Sequence, residues 1–382
     1  MSAHIFHNRE LRNRLNPPIE STDRAPLAFH QRLDGYVPTP LRCTPDLARA
    51  LGVGEVLLKD ESSRLGLPAF KILGASWAIY RVLESRVGHT LQPWQTMTDL
   101  AQRLAPLRPM TLAAATDGNH GRAVAHMAAL LGLAARIYVP AGTARARIDA
   151  IATEGATVEV VDGTYDDAVA RSARDANDRC LVISDTSWPG YEEVPRWVID
   201  GYSTILWEID DELARRGEKD PQLVIVQIGV GALAAAVVNH YRQPGRDPNI
   251  AILSVEPARA ACMRASIEAG KIVSVPGPHD SLMAGLNCGK PSMLAWPVIS
   301  AGIDAFISID DGRAREAMRA LARSGVVAGE TGAAGLGGLL EVLTGPDSDQ
   351  HREDLHVDET TRLLLFITEG ATDPQSYANI IG

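Results

Sequence analysis

A lysine stands where an apolar helix is expected to begin, and it is the first residue in the chain whose position suggests chemistry. Lys71 follows Pro68, Ala69 and Phe70 and precedes the apolar residues 72–75. A buried ammonium ion is costly unless it is paired, and the positive end of a helix dipole disfavours it further. We therefore predict an amine with a lowered pKa that forms a Schiff base with an aldehyde cofactor. The alternative is a lysine whose stem is buried and whose ammonium group reaches solvent.

The segment TDGNHG, residues 116–121, follows an apolar strand and opens a helix. Asn119 has an amide that can hydrogen-bond a phenolic oxygen of a cofactor ring. Backbone N–H groups at the start of a helix can hold a carboxylate, and Asp117 adds an acid to the same loop. The alternative is a glycine and asparagine turn in which Asp117 or Asn119 only caps the helix.

A second glycine-rich loop, GVGALA at residues 229–234, also lies between a predicted strand and a predicted helix. It has the GxGxxA spacing of a dinucleotide-binding loop, and Glu256 ends the next strand. The same geometry binds a single phosphate through backbone N–H groups and the helix dipole. The pattern predicts phosphate binding. It leaves open whether the cofactor is a dinucleotide, and whether Glu256 binds a ribose or only ends a strand.

Two further strand ends carry polar residues. The sequence SDT at residues 184–186 follows one strand, and TEGATD at residues 368–373 follows the last one. Because ligands bind at the carboxyl ends of strands in open α/β sheets, we expect all four loops to meet. Asp185 is a candidate proton donor or substrate clamp, and a threonine hydroxyl of TEGATD is a candidate partner for a ring nitrogen. Both segments also read as ordinary turn and capping sequences.

The order of the predicted elements favours an α/β fold. Strands alternate with helices, for example a strand at 157–161, a helix at 165–176 and a strand at 181–184. This spacing is typical of βαβ units on a mainly parallel sheet. Residues 1–35 are polar and interrupted by proline, so we expect them to lie over the surface.

The composition limits the partners that the protein can have. The chain has 382 residues and a net charge of −10, which disfavours nucleic acid and anionic membranes and favours a small molecule. No run of 18 apolar residues occurs, and the first residues lack an apolar signal core. The four cysteines show no zinc-type spacing and are too few for a disulfide scaffold. We therefore predict a cytoplasmic protein with no metal site.

In this order, these segments resemble the fold-type II pyridoxal-phosphate enzymes, the tryptophan synthase β-like family. Within that family the likeness is greatest to the diaminopropionate ammonia-lyases, and it extends over residues 59–373. Related threonine dehydratases and cysteine synthases usually carry a serine where Asp117 stands. The segments that carry the resemblance are KDESSRLGLPAFKILGA, AATDGNHGRAVA, SDTSWPGYEEVPRWVIDGY, QIGVGALA, SVEPARAACMRAS, MAGLNCG, GETGAAGLGG and TEGATD.

The resemblance implies a role for each polar residue. Lys71 would hold pyridoxal phosphate as a Schiff base and would take the α-proton of the L-substrate, whereas Asp117 would take that of the D-isomer. Asp117 and Asp185 would be the acids near the substrate's amino groups. Thr368 would face the pyridine nitrogen, with Thr372 as the alternative, and a neutral hydroxyl there favours elimination over transamination. The remaining contacts would come from Phe70, Asn119, Gly229, Val230, Gly231, Ala232 and Leu233 for the cofactor, and from Thr116 and His120 for the substrate.

The resemblance also implies a two-domain α/β structure, with each domain an open, mainly parallel sheet flanked by helices. Residues 1–77 and 191–382 would form the large cofactor-binding domain, and residues 78–190 a smaller, mobile one. The implied reaction is the α,β-elimination of 2,3-diaminopropionate to pyruvate and two molecules of ammonia, in a homodimer. Cys262 and Cys288 lie in two of the matched segments, either as a disulfide or as buried free thiols.

Other functions remain open on the sequence. A serine/threonine dehydratase or a β-replacing synthase of the same fold would share most of these motifs. An NAD-dependent oxidoreductase would use the GVGALA loop and Glu256. That loop, however, normally follows the first strand of a nucleotide domain, and the assignment would leave Lys71 and residues 116–121 without a task. A metabolite-binding protein without catalysis is the last alternative.

Overall fold

Two β-sheets form the framework of the chain. The computed structural model describes residues 5–8, 19–20, 23–88, 91 and 93–382, and the elements below are those of the described residues. The strands are β1 (Phe6–His7), β2 (Leu41–Cys43), β3 (Glu55–Asp60), β4 (Thr111–Ala115), β5 (Ala134–Pro140), β6 (Thr157–Val161), β7 (Cys180–Val182), β8 (Leu223–Gln227), β9 (Ala251–Pro257), β10 (Ala305–Ile309) and β11 (Arg362–Ile367).

Helices cover the faces of both sheets. In the described ranges, none of them is long and apolar enough to cross a membrane. They are α1 (Ala25–His30), α2 (Pro45–Leu51), α3 (Lys71–Val87), α4 (Met97–Arg103), α5 (Asn119–Leu131), α6 (Arg145–Thr153), α7 (Tyr165–Ala173), α8 (Glu193–Arg216), α9 (Ala232–Tyr241), α10 (Cys262–Ala269), α11 (Trp296–Gly302), α12 (Asp311–Arg323), α13 (Ala334–Thr344), α14 (Ser348–Leu355) and α15 (Pro374–Ile381).

The larger sheet has the strand order β1-β10-β9-β8-β11-β3-β2. Its five inner strands run parallel, and only the short edge strands β1 and β2 pair antiparallel to their neighbours. The inner strands are almost wholly buried and apolar, as expected for a parallel sheet covered on both faces. In the sheet, β9 and β10 lie on one side of β8, and β11 and β3 lie on the other side. The carboxyl end of β8 is therefore a switch point of the kind where ligands bind.

The smaller sheet has the order β6-β5-β4-β7 and is parallel throughout. All four strands fall within residues 111–182, inside the segment 78–190 that was predicted to form the smaller domain. The prediction of an α/β fold with two open, mainly parallel sheets flanked by helices is confirmed. The division into a rigid and a mobile domain stays a prediction.

Helix α3 packs closely against the long helix α8, and glycines make the contact possible. A Cβ atom at Gly74 would lie 2.6 Å from a ring carbon of Tyr202, and one at Gly201 would lie 2.5 Å from the carbonyl oxygen of Leu73. The two backbones therefore meet at Gly201, and the Tyr202 ring packs directly on the backbone of Gly74. This contact sets the direction of α3 and places its first residue, Lys71, between the two sheets.

The expectation that residues 1–35 lie over the surface is wrong for two of the parts that the structure describes. Strand β1 pairs with β10, with Phe6 opposite Phe306. Helix α1 buries Phe29 completely, and its ring packs against those of Trp77 and Trp94. A six-residue helix between polar segments shows too little periodicity to be recognised in the sequence. Residues 9–18 of this segment lie outside the described residues.

Short helices account for the other differences from prediction. No helix is predicted for α11, α14 or α15, each of eight residues or fewer. Residues 258–269 form a 3₁₀ turn, Ala258–Ala260, followed by α10. The division falls at Ala261, which has non-helical dihedral angles of −81° and 57°.

A buried cluster of charges fastens β3 to α8 just ahead of the segment that leads to Lys71. Lys59 Nζ lies 2.6 Å from Glu208 Oε2, and Arg64 Nη1 lies 2.6 Å from Glu208 Oε1. Arg64 also pairs with Glu61 at 2.6 Å. All four side chains are at most 2% exposed. Such a cluster offsets the cost of desolvation only while every charge keeps its partner.

We predict that Glu208→Gln destabilises the protein strongly, because two buried cations lose their shared carboxylate. Breaking a buried pair in this way costs about 3–5 kcal/mol. Glu212→Gln is the matched control, since Glu212 lies one turn further along α8 and pairs with arginines nearer the surface. Urea denaturation of both variants tests the prediction. A loss for Glu208→Gln no larger than that of the control would contradict it.

Candidate active site

A cleft lies where the carboxyl ends of β3, β8 and β11 face that of β4 across the two sheets. The space between its walls, which is open to solvent, has a volume of about 700 Å³. Every catalytic, cofactor-binding and substrate-binding residue predicted from the sequence lines it. These residues are Phe70, Lys71, Thr116, Asp117, Asn119, His120, Asp185, Gly229, Val230, Gly231, Ala232, Leu233 and Thr368.

Lys71 is the first residue of α3, and its side chain is 17% exposed. Its Nζ lies 2.6 Å from Asp185 Oδ2 and 5.3 Å from the centre of the Phe70 ring. The predicted lowering of the lysine pKa is wrong for this arrangement. Burial alone would lower the pKa, but the Asp185 carboxylate outweighs burial and raises it. The lysine is an ion-paired ammonium, and Asp185 is the group placed to take its proton.

Asp185 follows β7 and is held from two sides. Besides Lys71, the hydroxyl of Tyr165 donates to Asp185 Oδ1 at 2.9 Å. Burial alone would raise the pKa of Asp185, but the Lys71 ammonium and the Tyr165 hydroxyl together bring it well below the usual range. As long as Lys71 is an ammonium ion beside it, Asp185 is therefore a carboxylate.

Asp117 follows β4, and its pKa shifts in the opposite direction to that of Asp185. Burial raises its pKa to about 6, although Arg147 and Lys71 lower it. Desolvation dominates here, although α5 begins only two residues later. A carboxyl group with a pKa near neutrality is suited to exchanging a proton with a substrate.

Asn119 opens α5, and its amide nitrogen donates to a carboxylate oxygen of Glu369. Glu369 is 1% exposed and also accepts from the backbone N–H of Thr331 at 3.1 Å. Because the amide carries two N–H groups, Glu369 fixes one and leaves the other for the cleft.

His120 and Thr116 belong to the same loop, residues 116–121, and both make hydrogen bonds to the backbone. His120 Nε2 lies 2.8 Å from the carbonyl oxygen of Ile183, which only accepts, so Nε2 carries the proton. Burial lowers the pKa of His120, and its Nδ1 is buried without a partner. The Thr116 hydroxyl accepts from the N–H of Gly118 at 2.9 Å. His120 is thus a neutral residue with a free acceptor at the cleft.

The GVGALA loop turns from β8 into α9 and leaves no room for side chains. Gly231 has φ of +108°, and a Cβ atom there would lie 2.6 Å from Ile299 Cδ1. A Cβ atom at Gly229 would lie 3.1 Å from the carbonyl oxygen of Gly285. The first N–H groups of α9 have no acceptor within the helix and face the cleft. This is a cradle for a phosphate group.

Thr368 follows β11, and its hydroxyl accepts from Gln227 Nε2 at 3.0 Å. The hydroxyl hydrogen has only a long contact of 3.4 Å with the carbonyl oxygen of Thr331, so it is available to another acceptor. Thr372, the alternative partner for a ring nitrogen, does not line the cleft, and its hydroxyl is buried without a hydrogen-bond partner. The geometry favours Thr368.

Glu256 does not face the cleft. Its carboxylate accepts from the N–H groups of Met263 and Arg264, both at 2.8 Å, and so caps α10. Burial raises its pKa to about 8. The dinucleotide interpretation therefore lacks the carboxylate that would bind a ribose.

The four cysteines are free thiols. Cys262 and Cys288 are buried in one apolar cluster with Tyr165 and Val230, beside the glycine loop. Burial raises the pKa of both thiols well above the usual value. In the described residues, no three or more His, Cys, Asp or Glu side chains are grouped so as to hold a metal ion.

Several residues of the cleft were not predicted as site residues, and among them Tyr165, Gln227 and Glu369 have side chains that hydrogen-bond to the site. Gln227 ends β8 and Glu369 follows β11, so the argument from strand ends applies to both. Tyr165 begins the helix that follows β6, at the same edge of the small sheet. A search of every strand end for hydrogen-bonding side chains would have included all three.

Pyridoxal phosphate fits the residues present. The amine of Lys71 can bind its aldehyde, and the backbone N–H groups at the start of α9, beside two glycines that have no room for a Cβ atom, can hold its phosphate. Asn119 has a second amide N–H for the ring oxygen, and the Thr368 hydroxyl hydrogen, whose contact with Thr331 is 3.4 Å long, is available to the ring nitrogen.

Comparisons with known proteins agree with this chemistry. A family model described as pyridoxal-phosphate dependent enzyme matches residues 32–351. The diaminopropionate ammonia-lyase of Escherichia coli strain K12 is 38% identical over 372 residues, which cover 95% of this chain and 92% of that protein. The diaminopropionate ammonia-lyase of Salmonella typhimurium is 36% identical over 365 residues, covering 93% and 90%.

Solved structures give the same result. The E. coli diaminopropionate ammonia-lyase in complex with an aminoacrylate-PLP azomethine reaction intermediate matches with a TM-score of 0.89 at 36% identity. The match covers 99% of this chain and 96% of that one. The same enzyme in complex with D-serine matches with a TM-score of 0.90, the same identity and the same coverage. With the lysine, the phosphate cradle and the two acids in one cleft, the chain belongs to the pyridoxal-phosphate dependent enzymes and, among them, to the diaminopropionate ammonia-lyase family.

Proposed function

We propose that the protein catalyses the pyridoxal-phosphate-dependent α,β-elimination of 2,3-diaminopropionate to pyruvate and two molecules of ammonia. The observation that carries this proposal is the presence of two acids, Asp117 and Asp185, in the same cleft as the cofactor lysine. A serine/threonine dehydratase needs no second carboxylate for a distal ammonium group. Asp117 therefore favours the diamino substrate over serine or threonine.

The cofactor would be held by residues that already line the cleft. Lys71 would bind it covalently through Nζ, with Phe70 beside the ring, and residues 229–233 would bind its phosphate. Asn119 would donate to the 3′-oxygen and Thr368 would face the pyridine nitrogen. When bound, pyridoxal phosphate supplies an aldehyde for the substrate amine and an electron sink for the carbanion.

Proton movements would fall to Lys71, Asp185 and Asp117. Asp185 takes the proton that Lys71 must lose before its amine can react, across the 2.6 Å contact between them. Lys71, freed by the substrate, then accepts the α-proton of the L-isomer, and Asp117 accepts that of the D-isomer. The β-amino group leaves as ammonia only with a proton donor close by, and Asp185 with its Tyr165 contact is placed for that task.

We also propose that residues 78–190 form a smaller mobile domain over the larger one, built from residues 1–77 and 191–382. The smaller sheet contributes Thr116, Asp117 and Asp185, so its movement would bring the acids to the substrate and exclude water. On the family resemblance, the protein would act as a homodimer in the cytoplasm. Four free thiols are consistent with a reducing compartment.

We predict that Asp117→Asn reduces elimination from D-diaminopropionate by roughly 10²–10⁴-fold, the loss typical of a general base. The loss on the L-isomer should be much smaller, because Lys71 is unchanged. Pyruvate release from each isomer is the assay. Equal and slight losses on both isomers would show that Asp117 only caps the helix. Turnover of threonine but not of diaminopropionate by the wild type would show that the protein is a dehydratase.

The pH dependence of the same assay follows from the pKa of Asp117, about 6. Asp117 accepts a proton only as a carboxylate, so kcat/KM for the D-isomer should fall as the pH drops through about 6, by about tenfold for each further unit. This limb should be absent in Asp117→Asn. A limb of unchanged position in that variant would assign it to another group.

The pair Thr368 and Thr372 offers a matched test of the cofactor site. Valine has the shape of threonine without the hydroxyl. Thr368→Val should weaken the binding of pyridoxal phosphate by about tenfold, the worth of one hydrogen bond. Thr372→Val should leave it unchanged, because Thr372 lies outside the cleft. Absorbance titration with the cofactor measures both, and the reverse result would assign the ring contact to Thr372.

A further inference from the structure

Arg147 is a buried arginine for which neither the sequence nor the proposed reaction has yet supplied a role. It lies in the first turn of α6, and its side chain is 5% exposed. Its Nη2 is 3.6 Å from Glu369 Oε1, and its Nη1 is buried with no hydrogen-bond partner. A guanidinium group that is desolvated and only partly paired is costly, which indicates a purpose beyond packing.

The stem of Arg147 supports the turn that carries Asp117. Gly118 has φ of +152°, and a Cβ atom there would lie 3.1 Å from Arg147 Cδ. The aliphatic part of Arg147 thus lies directly against the backbone between Asp117 and Asn119. A change in the position of Arg147 is transmitted to both residues.

The head of Arg147 connects the same turn to the end of β11. Its partner Glu369 also contacts the Asn119 amide and accepts from the N–H of Thr331. Arg147 therefore supports the 117–119 turn twice, through Gly118 and through Glu369. Helix α6 belongs to the smaller sheet and Glu369 to the larger one, so the contact also crosses the cleft.

Arg147 is a cation surrounded by acidic side chains. Four carboxylates face it: Asp117, Glu330, Glu369 and Asp373. The cations near Asp117 are Lys71 and Arg147, and the anions near it are Glu369 and Asp185. Its neutral titratable neighbours are Tyr165 and Cys288. Two cations, Arg147 and Lys71, lower the pKa of Asp117 against the effect of burial, and Arg147 lowers it more.

We propose that Arg147 is a positioning residue for this reaction: it ties the 117–119 turn to Glu369, keeping Asp117 a carboxylate and the Asn119 amide directed at the cleft. The proposal rests on the proposed function, in which Asp117 is the base for the D-isomer. Its consequence is specific. Loss of the Arg147 charge should affect the D-isomer through ionisation, and should affect cofactor binding through Asn119.

The test compares Arg147→Gln and Arg147→Lys with Arg145→Gln as control. Arg145 lies in the same helix, is 83% exposed and pairs only with Asp149 in that helix. The measurement is the pH profile of kcat/KM for each isomer. The isomers are mirror images with identical pKa values, so any difference between their profiles comes from the enzyme.

In Arg147→Gln the acid limb for the D-isomer should move up by about one pH unit, the size of effect expected when an opposite charge is removed. The limb for the L-isomer should stay in place. Arg147→Lys should keep the wild-type limb, because it keeps the charge. Pyridoxal phosphate should bind Arg147→Gln about tenfold more weakly by absorbance titration, and Arg145→Gln as tightly as the wild type.

Glu369→Gln provides an independent test of the role of Arg147 if Arg147→Gln does not fold. Removing a negative neighbour and freeing Arg147 for Asp117 should move the D-isomer limb down in pH. The proposal is overturned if that limb stays in place or rises, or if the Arg147→Gln limb is unchanged or shifts equally for both isomers. Wild-type enzyme without activity on D-diaminopropionate would instead overturn the proposed function.

Discussion

The contact between Lys71 and Asp185 is the interaction on which the rest of the site depends. It joins the first residue of α3 to the loop after β7, 114 residues further along the chain, at 2.6 Å. Both groups are largely removed from water, so each is stable there only because of the other. The close backbone contact of α3 with α8, and the charged cluster around Glu208, fix the larger sheet's half of the pair.

Around this pair the two acids of the cleft are kept in different states. Asp185 lies against the lysine and a tyrosine hydroxyl, and its pKa is lowered. Asp117 is buried with more distant cations, and its pKa rises to about 6. Two carboxyl groups whose pKa values are separated by their surroundings can serve as distinct acid and base, which an elimination from a diamine requires.

Much of this site is predictable from the sequence, because its residues follow predicted strands. Asp117, Asp185 and residues 229–233 were placed by that argument, and Lys71 by its position at the start of an apolar helix. The direction of the Lys71 pKa shift was not, since it depends on a partner distant in sequence. Local patterns cannot show which strand ends approach each other. Glu369 and Arg147 could not be recognised, because their roles depend on the contact between them and on the contact of Arg147 with Gly118. Helix α1 was missed because six residues show no clear period.

The most direct test of the account is to locate the covalent bond to the cofactor. Sodium borohydride fixes the link between pyridoxal phosphate and its lysine, and peptide mapping then identifies the residue. We predict a yellow protein whose label is found on the peptide that contains Lys71, and whose Lys71→Ala variant takes up no label. A colourless protein that binds no pyridoxal phosphate, or a label on another lysine such as Lys59, would contradict it.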